Sequence, residues 1–197
     1  MTQPTQPTDP AKSIHGQFFN VPNQLTALRL VLSVVVFVLI PLHLYLPAVI
    51  VFIIAASTDW VDGYWARKYG QVTKLGRVFD PFVDKIIICG TFILLAAEPQ
   101  SGIQAWMAVI VVGREMLVTT LRSFIEQSGG DFSAQMAGKL KMVFQCVAAV
   151  ASLILLMQAR PAAAWMEWTL SISVWVAVIS TVYSGIGYVF VAAKYLR

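Results

Sequence analysis

Long apolar blocks separated by short polar links run through most of the chain. A helix crossing the hydrocarbon of a bilayer takes about 17–25 mostly apolar residues. Six blocks are at least that long: 25–46, 47–68, 81–97, 103–125, 139–158 and 165–193. Pro41, Pro47, Pro99 and Pro161 fall at or near the breaks between blocks, where a residue lacking an amide proton disturbs a helix least. The sixth block is long for one crossing; Gly185 and Gly187 mark either a bend in it or a projection into the cytoplasm. Residues 1–12, MTQPTQPTDPAK, are polar and proline-rich and predict a disordered tail. They lack the basic start and apolar run of a signal peptide. Residues 13–22 predict a short interfacial segment, with Phe18 and Phe19 at headgroup level. The expected fold is all-α: one polytopic membrane domain over 13–197, with six transmembrane helices.

Composition agrees with that pattern. Hydrophobic residues make up 58% and charged residues 12% of the chain, against about 45–50% and 25% in soluble domains. The net charge of +4 matters less than its distribution. With the N-terminus inside, 13 of the 14 Lys and Arg residues fall at inner ends and loops, and only Arg160 lies outside. The positive-inside rule then puts both termini and the charged loops in the cytoplasm. No basic stripe suggests nucleic acid as a partner. Cys89 and Cys146 sit inside apolar blocks and read as small packing residues. Trp106, Trp165, Trp168 and Tyr195, near block ends, read as interfacial aromatics, and His15 and His43 are isolated.

The stretch STDWVDGYWARKYGQVTKLGRVFDPFVDK, residues 57–85, departs from this pattern. Asp59 and Asp62 are three apart near the inner end of the second block, and Asp80 and Asp84 are four apart at the start of the third. Both spacings put the two carboxylates on one helix face. Asp80-Pro81 reads as a helix start. Asp59, Asp62, Gly63, Ala66 and Arg67 share an arc of about 140° at 100° per residue, and its small residues admit close approach of a ligand. One ionised Asp at mid-membrane costs roughly 2.5–3.5 kcal/mol even on the lenient insertion scale. Four facing carboxylates need cations to balance them. Hard oxygen ligands suit Mg2+ or Mn2+, which are commonly shared with substrate phosphates. The site is therefore expected to take a phosphorylated ligand at the cytoplasmic membrane edge.

Asp59, Asp62-Gly63, Ala66-Arg67, Gly76, Asp80 and Asp84 fix eight residues over 26 positions. This run resembles, without departure, the signature of the CDP-alcohol phosphatidyltransferase family. In that family an alcohol attacks the β-phosphorus of a CDP-linked lipid and CMP leaves. The resemblance implies that Asp59, Asp62 and Asp80 are metal ligands, and that Asp84 is the general base and also touches a metal, with two ions in all. It also implies CDP-lipid contacts from Gly63, Ala66, Arg67 and Thr73, and from Asn23 and Thr26 in the first block. For Asn23 and Thr26, a helix cap and a packing hydroxyl are the competing readings; for Gly76 the choice lies between a tight loop and an ordinary turn. The family is commonly dimeric, so a homodimer is expected, as is a multi-pass place in a bacterial cytoplasmic (inner) membrane with the active site facing the cytoplasm.

The acceptor alcohol needs a second set of residues. Arg114 follows ten uncharged positions in the fourth block, and Lys139, Lys141 and Arg122 are further bases. A buried base marks either a phosphate site or an internal partner, and Glu115 could orient Arg114 or simply pack. Positive-inside anchoring competes for Lys139 and Lys141, and is favoured for Arg122. Three bases around a pocket suit an acceptor with its own phosphate. Arg114-Glu115 with Leu121-Arg122, and Gly138-Lys139-Leu140-Lys141 with Gln145, are similar to the bacterial phosphatidylglycerophosphate synthases within the family. That resemblance implies CDP-diacylglycerol and sn-glycerol 3-phosphate as substrates. Inositol phosphate or serine as acceptor remains open, as do a divalent-cation transporter and a non-catalytic lipid-binding scaffold. Acids confined to two adjacent blocks beside Arg67 disfavour the transporter; the scaffold gives no reason for paired carboxylates.

Overall fold

A computed structural model describes residues 21–69, 74–127, 136–158 and 163–195. The tail, the interfacial segment before residue 21, and Thr73 lie outside the described residues. Six helices and no strand occur among them: α1 Val21–Leu39, α2 Tyr45–Tyr69, α3 Lys74–Ala97, α4 Ala105–Gln127, α5 Met136–Leu156 and α6 Ala164–Tyr195.

Local chemistry explains the ends. Pro22 and Pro47 stand in the first turns of α1 and α2, where no intrahelical amide bond is lost. Pro41 follows the end of α1, and His43 turns the chain at φ 57°. The Leu44 amide donates to the Leu39 carbonyl at 3.0 Å, closing the turn. Between α3 and α4, Pro99 breaks the helix and Gly102 takes φ 73°, a conformation that costs glycine little.

The helices pack as a ring in the order α1, α2, α5, α6, α4, α3, with α3 and α5 also meeting across it. Val36, Phe52, Phe92, Val111, Leu153 and Val174, one from each helix, are at most 1% exposed and join one core. Polar bonds tie the end opposite the N-terminus. Tyr45 donates to Glu98 at 3.1 Å, linking the α1–α2 turn to the end of α3, and Ser152 on α5 donates to the Ser101 carbonyl at 2.7 Å. Successive helices therefore alternate in direction. The start of α1, the α2–α3 junction, the end of α4, the start of α5 and the end of α6 share the other end.

Two sequence expectations need correction. α3 starts at Lys74, so Asp80-Pro81 is not its beginning; Pro81 lies inside the helix. The apolar block does begin near Pro81, but helix formation follows backbone bonding and runs back through polar residues. Gly76 is likewise in the first turn of α3, not in a loop. α6 continues as one helix through Gly185 and Gly187 for 32 residues, about 48 Å at 1.5 Å per residue. Its stretch Ala164–Ala193 is long and apolar enough to cross a membrane. The shorter apolar stretches Gln24–Leu39, Tyr45–Thr58, Lys85–Ala97 and Leu140–Leu156 lie on α1, α2, α3 and α5.

Candidate active site

The aspartate positions fall near the adjoining ends of α2 and α3. Asp62 and Asp59 lie about 10 and 15 Å back from the end of α2 at 1.5 Å per residue. Asp80 and Asp84 lie about 9 and 15 Å in from the start of α3. Only residues 70–73 separate these ends, so they are at most about 19 Å apart, five Cα–Cα steps. The four positions therefore lie within about three turns of the adjoining ends of α2 and α3, on helices that both pack against α1 and α5. The side chains of the four aspartates, of Arg67 and of Lys139 lie outside the described residues, as does that of Asn23. Gly63, Ala66 and Arg67 occupy the last turns of α2, and Lys139 the first turn of α5. Asn23 is in the first turn of α1, inside the helix and not at its cap, and Thr26 one turn on is buried. As a donor set, four carboxylates suit hard divalent cations of the kind shared with substrate phosphates.

Lys85, the residue after Asp84, belongs to a buried cluster of charges. Glu115 on α4 is 2% exposed. Its carboxylate accepts from Lys141 on α5, pairs with Lys85 on α3 at 3.0 Å, and accepts from Arg114 at 3.2 Å. Arg114 also donates to Ser184 Oγ on α6 at 2.6 Å and lies over the Tyr188 ring at 5.3 Å, a cation–π distance. Buried Arg114 Nε has no hydrogen-bond partner among the described residues. One step deeper, Gln145 on α5 donates to Thr181 on α6 at 2.9 Å. The cluster therefore joins four helices through charge in a zone where unpaired charge is expensive.

The close approach of α4 and α6 has a local cause. A Cβ on Gly185 would stand 3.2 Å from Arg114 Cγ, so glycine gives the arginine stem its room. Arg114 also lines a groove of about 420 Å³ between these helices, with Leu117, Val182, Ile186 and Phe190. Its other walls are apolar, which suits hydrocarbon and not a sugar phosphate.

Of the bases expected to form an acceptor pocket, Arg114 and Lys141 converge on Glu115. Arg122 is half-buried on the same helix as Arg114, about 12 Å further along its axis. Lys85, Ser184 and Tyr188 were not legible as site residues. Lys85 follows Asp84 directly, which was the available signal. Ser184 meets Arg114 across 70 residues of sequence, and no local pattern announces such a contact.

Comparison with known proteins agrees with this architecture. The model of the CDP-alcohol phosphatidyltransferase family matches residues 19–183. The Bacillus subtilis (strain 168) protein named CDP-diacylglycerol–glycerol-3-phosphate 3-phosphatidyltransferase is 35% identical over 183 residues, covering 85% of this chain and 92% of the relative. The identically named proteins of Escherichia coli K12 and Salmonella choleraesuis SC-B67 are each 32% identical, covering 89% of this chain and 87% of the relative. With most of its length matched by the family model and by these relatives, the chain is an enzyme of the CDP-alcohol phosphatidyltransferase family.

Proposed function

We propose that this enzyme transfers the phosphatidyl group of CDP-diacylglycerol to sn-glycerol 3-phosphate, giving phosphatidylglycerophosphate and CMP in phospholipid biosynthesis. The observation that carries the reading is two pairs of acidic positions near the adjoining ends of α2 and α3 together with a buried, predominantly positive cluster that includes Lys85, the residue after Asp84. A diphosphate needs the first and a phosphorylated acceptor the second. The relatives' shared name supports this choice of acceptor.

Asp59, Asp62, Asp80 and Asp84 would hold two Mg2+ or Mn2+ ions, which when bound neutralise the diphosphate and the charge on departing CMP. Asp84 takes the proton from the acceptor hydroxyl as that oxygen attacks the β-phosphorus. Gly63 and Ala66 leave the last turns of α2 open to the cytidine diphosphate, and Arg67 meets its phosphates. Asn23, Thr26 and Thr73 complete the nucleotide contacts. Arg114 and Lys141 bind the acceptor phosphate, with Lys139 and Arg122 toward the mouth.

The same reading makes the chain a multi-pass protein of the bacterial cytoplasmic membrane, with residues 13–197 as the membrane domain. Every helix exposes large apolar side chains, among them Val34, Ile53, Ile93, Val109, Val147 and Ile179. Soluble monomers rarely expose apolar patches beyond a few hundred Å², whereas lipid solvates such a surface. The bases at the aspartate end put that end and both termini in the cytoplasm. A homodimer is the assembly we assign.

An acceptor panel tests the reading: purified enzyme with CDP-diacylglycerol and either glycerol 3-phosphate, inositol phosphate, inositol, serine or choline, with the lipid product identified by mass. Phosphatidylglycerophosphate as the dominant product is expected. Another lipid formed in its place would reassign the acceptor.

A further inference from the structure

Three cations, Lys85, Arg114 and Lys141, share the single carboxylate of Glu115. Among the described residues the cluster therefore carries a formal excess of two positive charges, and both Arg114 and Lys141 are at least nine-tenths buried. Charges in such a place are tolerated when an anion pairs them. Glu115 supplies half of what Lys85 and Lys141 need between them and cannot balance Arg114 as well. The donors left over are specific: Arg114 Nε has no hydrogen-bond partner among the described residues, and each lysine ammonium has three protons to place. The excess equals the charge of one phosphate monoester dianion.

We infer that Glu115 is a positioning residue for the acceptor phosphate, gathering Lys85, Arg114 and Lys141 into one dianion-binding cluster, and that Lys85 is a further acceptor contact. This rests on the proposed transfer to a phosphorylated alcohol and names residues that reading did not assign. The geometry gives each its part. Without the carboxylate, three cations from three helices repel one another in a low-dielectric site and separate. With it they stay within one hydrogen-bond shell before the acceptor arrives, so binding does not have to assemble them. Lys85 is the residue after Asp84 on α3. Its 3.0 Å pairing with Glu115 therefore couples the α3 backbone at the proposed base to the helix that carries Arg114. The cluster also explains a preference for a dianionic acceptor over a neutral one: serine or inositol would leave the excess charge unpaired.

The test compares wild type with Glu115→Gln and Glu115→Asp in steady-state CMP release. Glu115→Gln is expected to raise the KM for glycerol 3-phosphate about tenfold or more, leaving the KM for CDP-diacylglycerol within about twofold, because only the acceptor uses the cluster. Glu115→Asp, which keeps the charge, is expected to recover most of the loss. If Glu115→Gln does not fold, half-exposed Lys85→Gln decides: a rise of about threefold or more in the acceptor KM alone supports the inference. An unchanged acceptor KM in the folded variant, or an equal rise in both constants, overturns it. Wild type that releases no CMP on addition of glycerol 3-phosphate overturns the acceptor reading together with this inference. Active wild type with an indifferent Glu115→Gln overturns this inference alone.

Discussion

At the scale of single residues, two kinds of polar group do different work. The proposal for the aspartates at 59, 62, 80 and 84 rests on local information: two spacings, a glycine and an arginine within 26 positions. The buried cluster was legible only in part. Arg114 could be singled out as a base among apolar residues, but the choice between a phosphate and an internal partner depended on contacts to α3, α5 and α6. Those contacts show an internal pairing with Glu115, while Nε has no hydrogen-bond partner among the described residues. Replacing Asp84 by Asn is expected to lower kcat by roughly 10²–10⁴, the range of general-base catalysis, while folding and CDP-diacylglycerol binding persist. Turnover within a few-fold of wild type in that variant would remove Asp84 from the chemistry. Arg114→Ala is expected to raise the KM for glycerol 3-phosphate more than that for CDP-diacylglycerol. It should also destabilise the bundle by about 3–5 kcal/mol, because it leaves a buried carboxylate less well paired and removes the Ser184 bond. Steady-state kinetics and thermal unfolding of the same preparation read both effects.

At the scale of helices, apolar blocks predicted all six elements, since burial and lipid exposure both select the same residues. Ends were less legible. α3 runs back to Lys74 through Gly76, and Pro81 lies inside it, although a proline inside a helix costs about 3 kcal/mol. Block length therefore measured the apolar part of α3 and not the helix. The extra turns matter for function, because they put Asp80 and Asp84 on one continuous helix at fixed depths. Packing between elements makes its own prediction at the α1–α3 seam. A Cβ on Gly90 would stand 2.2 Å from Phe37 Cζ. Alanine gains about 1 kcal/mol in helix propensity over glycine, yet overpacking costs about 1–3 kcal/mol. Gly90→Ala is expected to be destabilising on balance, and the shorter side chain of Phe37→Leu should relieve it in the double variant. Additive losses in a double-mutant cycle by thermal unfolding would show that the ring does not set this seam.

At the scale of the whole molecule, the adjoining ends of α2 and α3 with their aspartate positions lie at one end of the bundle, and a smaller polar network, Tyr45, Glu98, Ser101 and Ser152, at the other. The proposed membrane orientation assigns the first end to the cytoplasm. In a Cys89→Ala, Cys146→Ala background, an impermeant maleimide added to intact cells should label Gln100→Cys and not Ser128→Cys. The reverse pattern would invert the topology. Family membership accounts for the common chemistry, and the charge distribution accounts for the choice of a phosphorylated acceptor. Both converge on the claim that paired aspartates and divalent ions activate a CDP-linked lipid for attack by glycerol 3-phosphate. The most direct test follows CMP release from CDP-diacylglycerol by chelator-treated enzyme, with Mg2+ or Mn2+ and glycerol 3-phosphate restored separately and together. Release is predicted only when an ion and the acceptor are both present; release that proceeds without either one, or fails with both, would contradict the account.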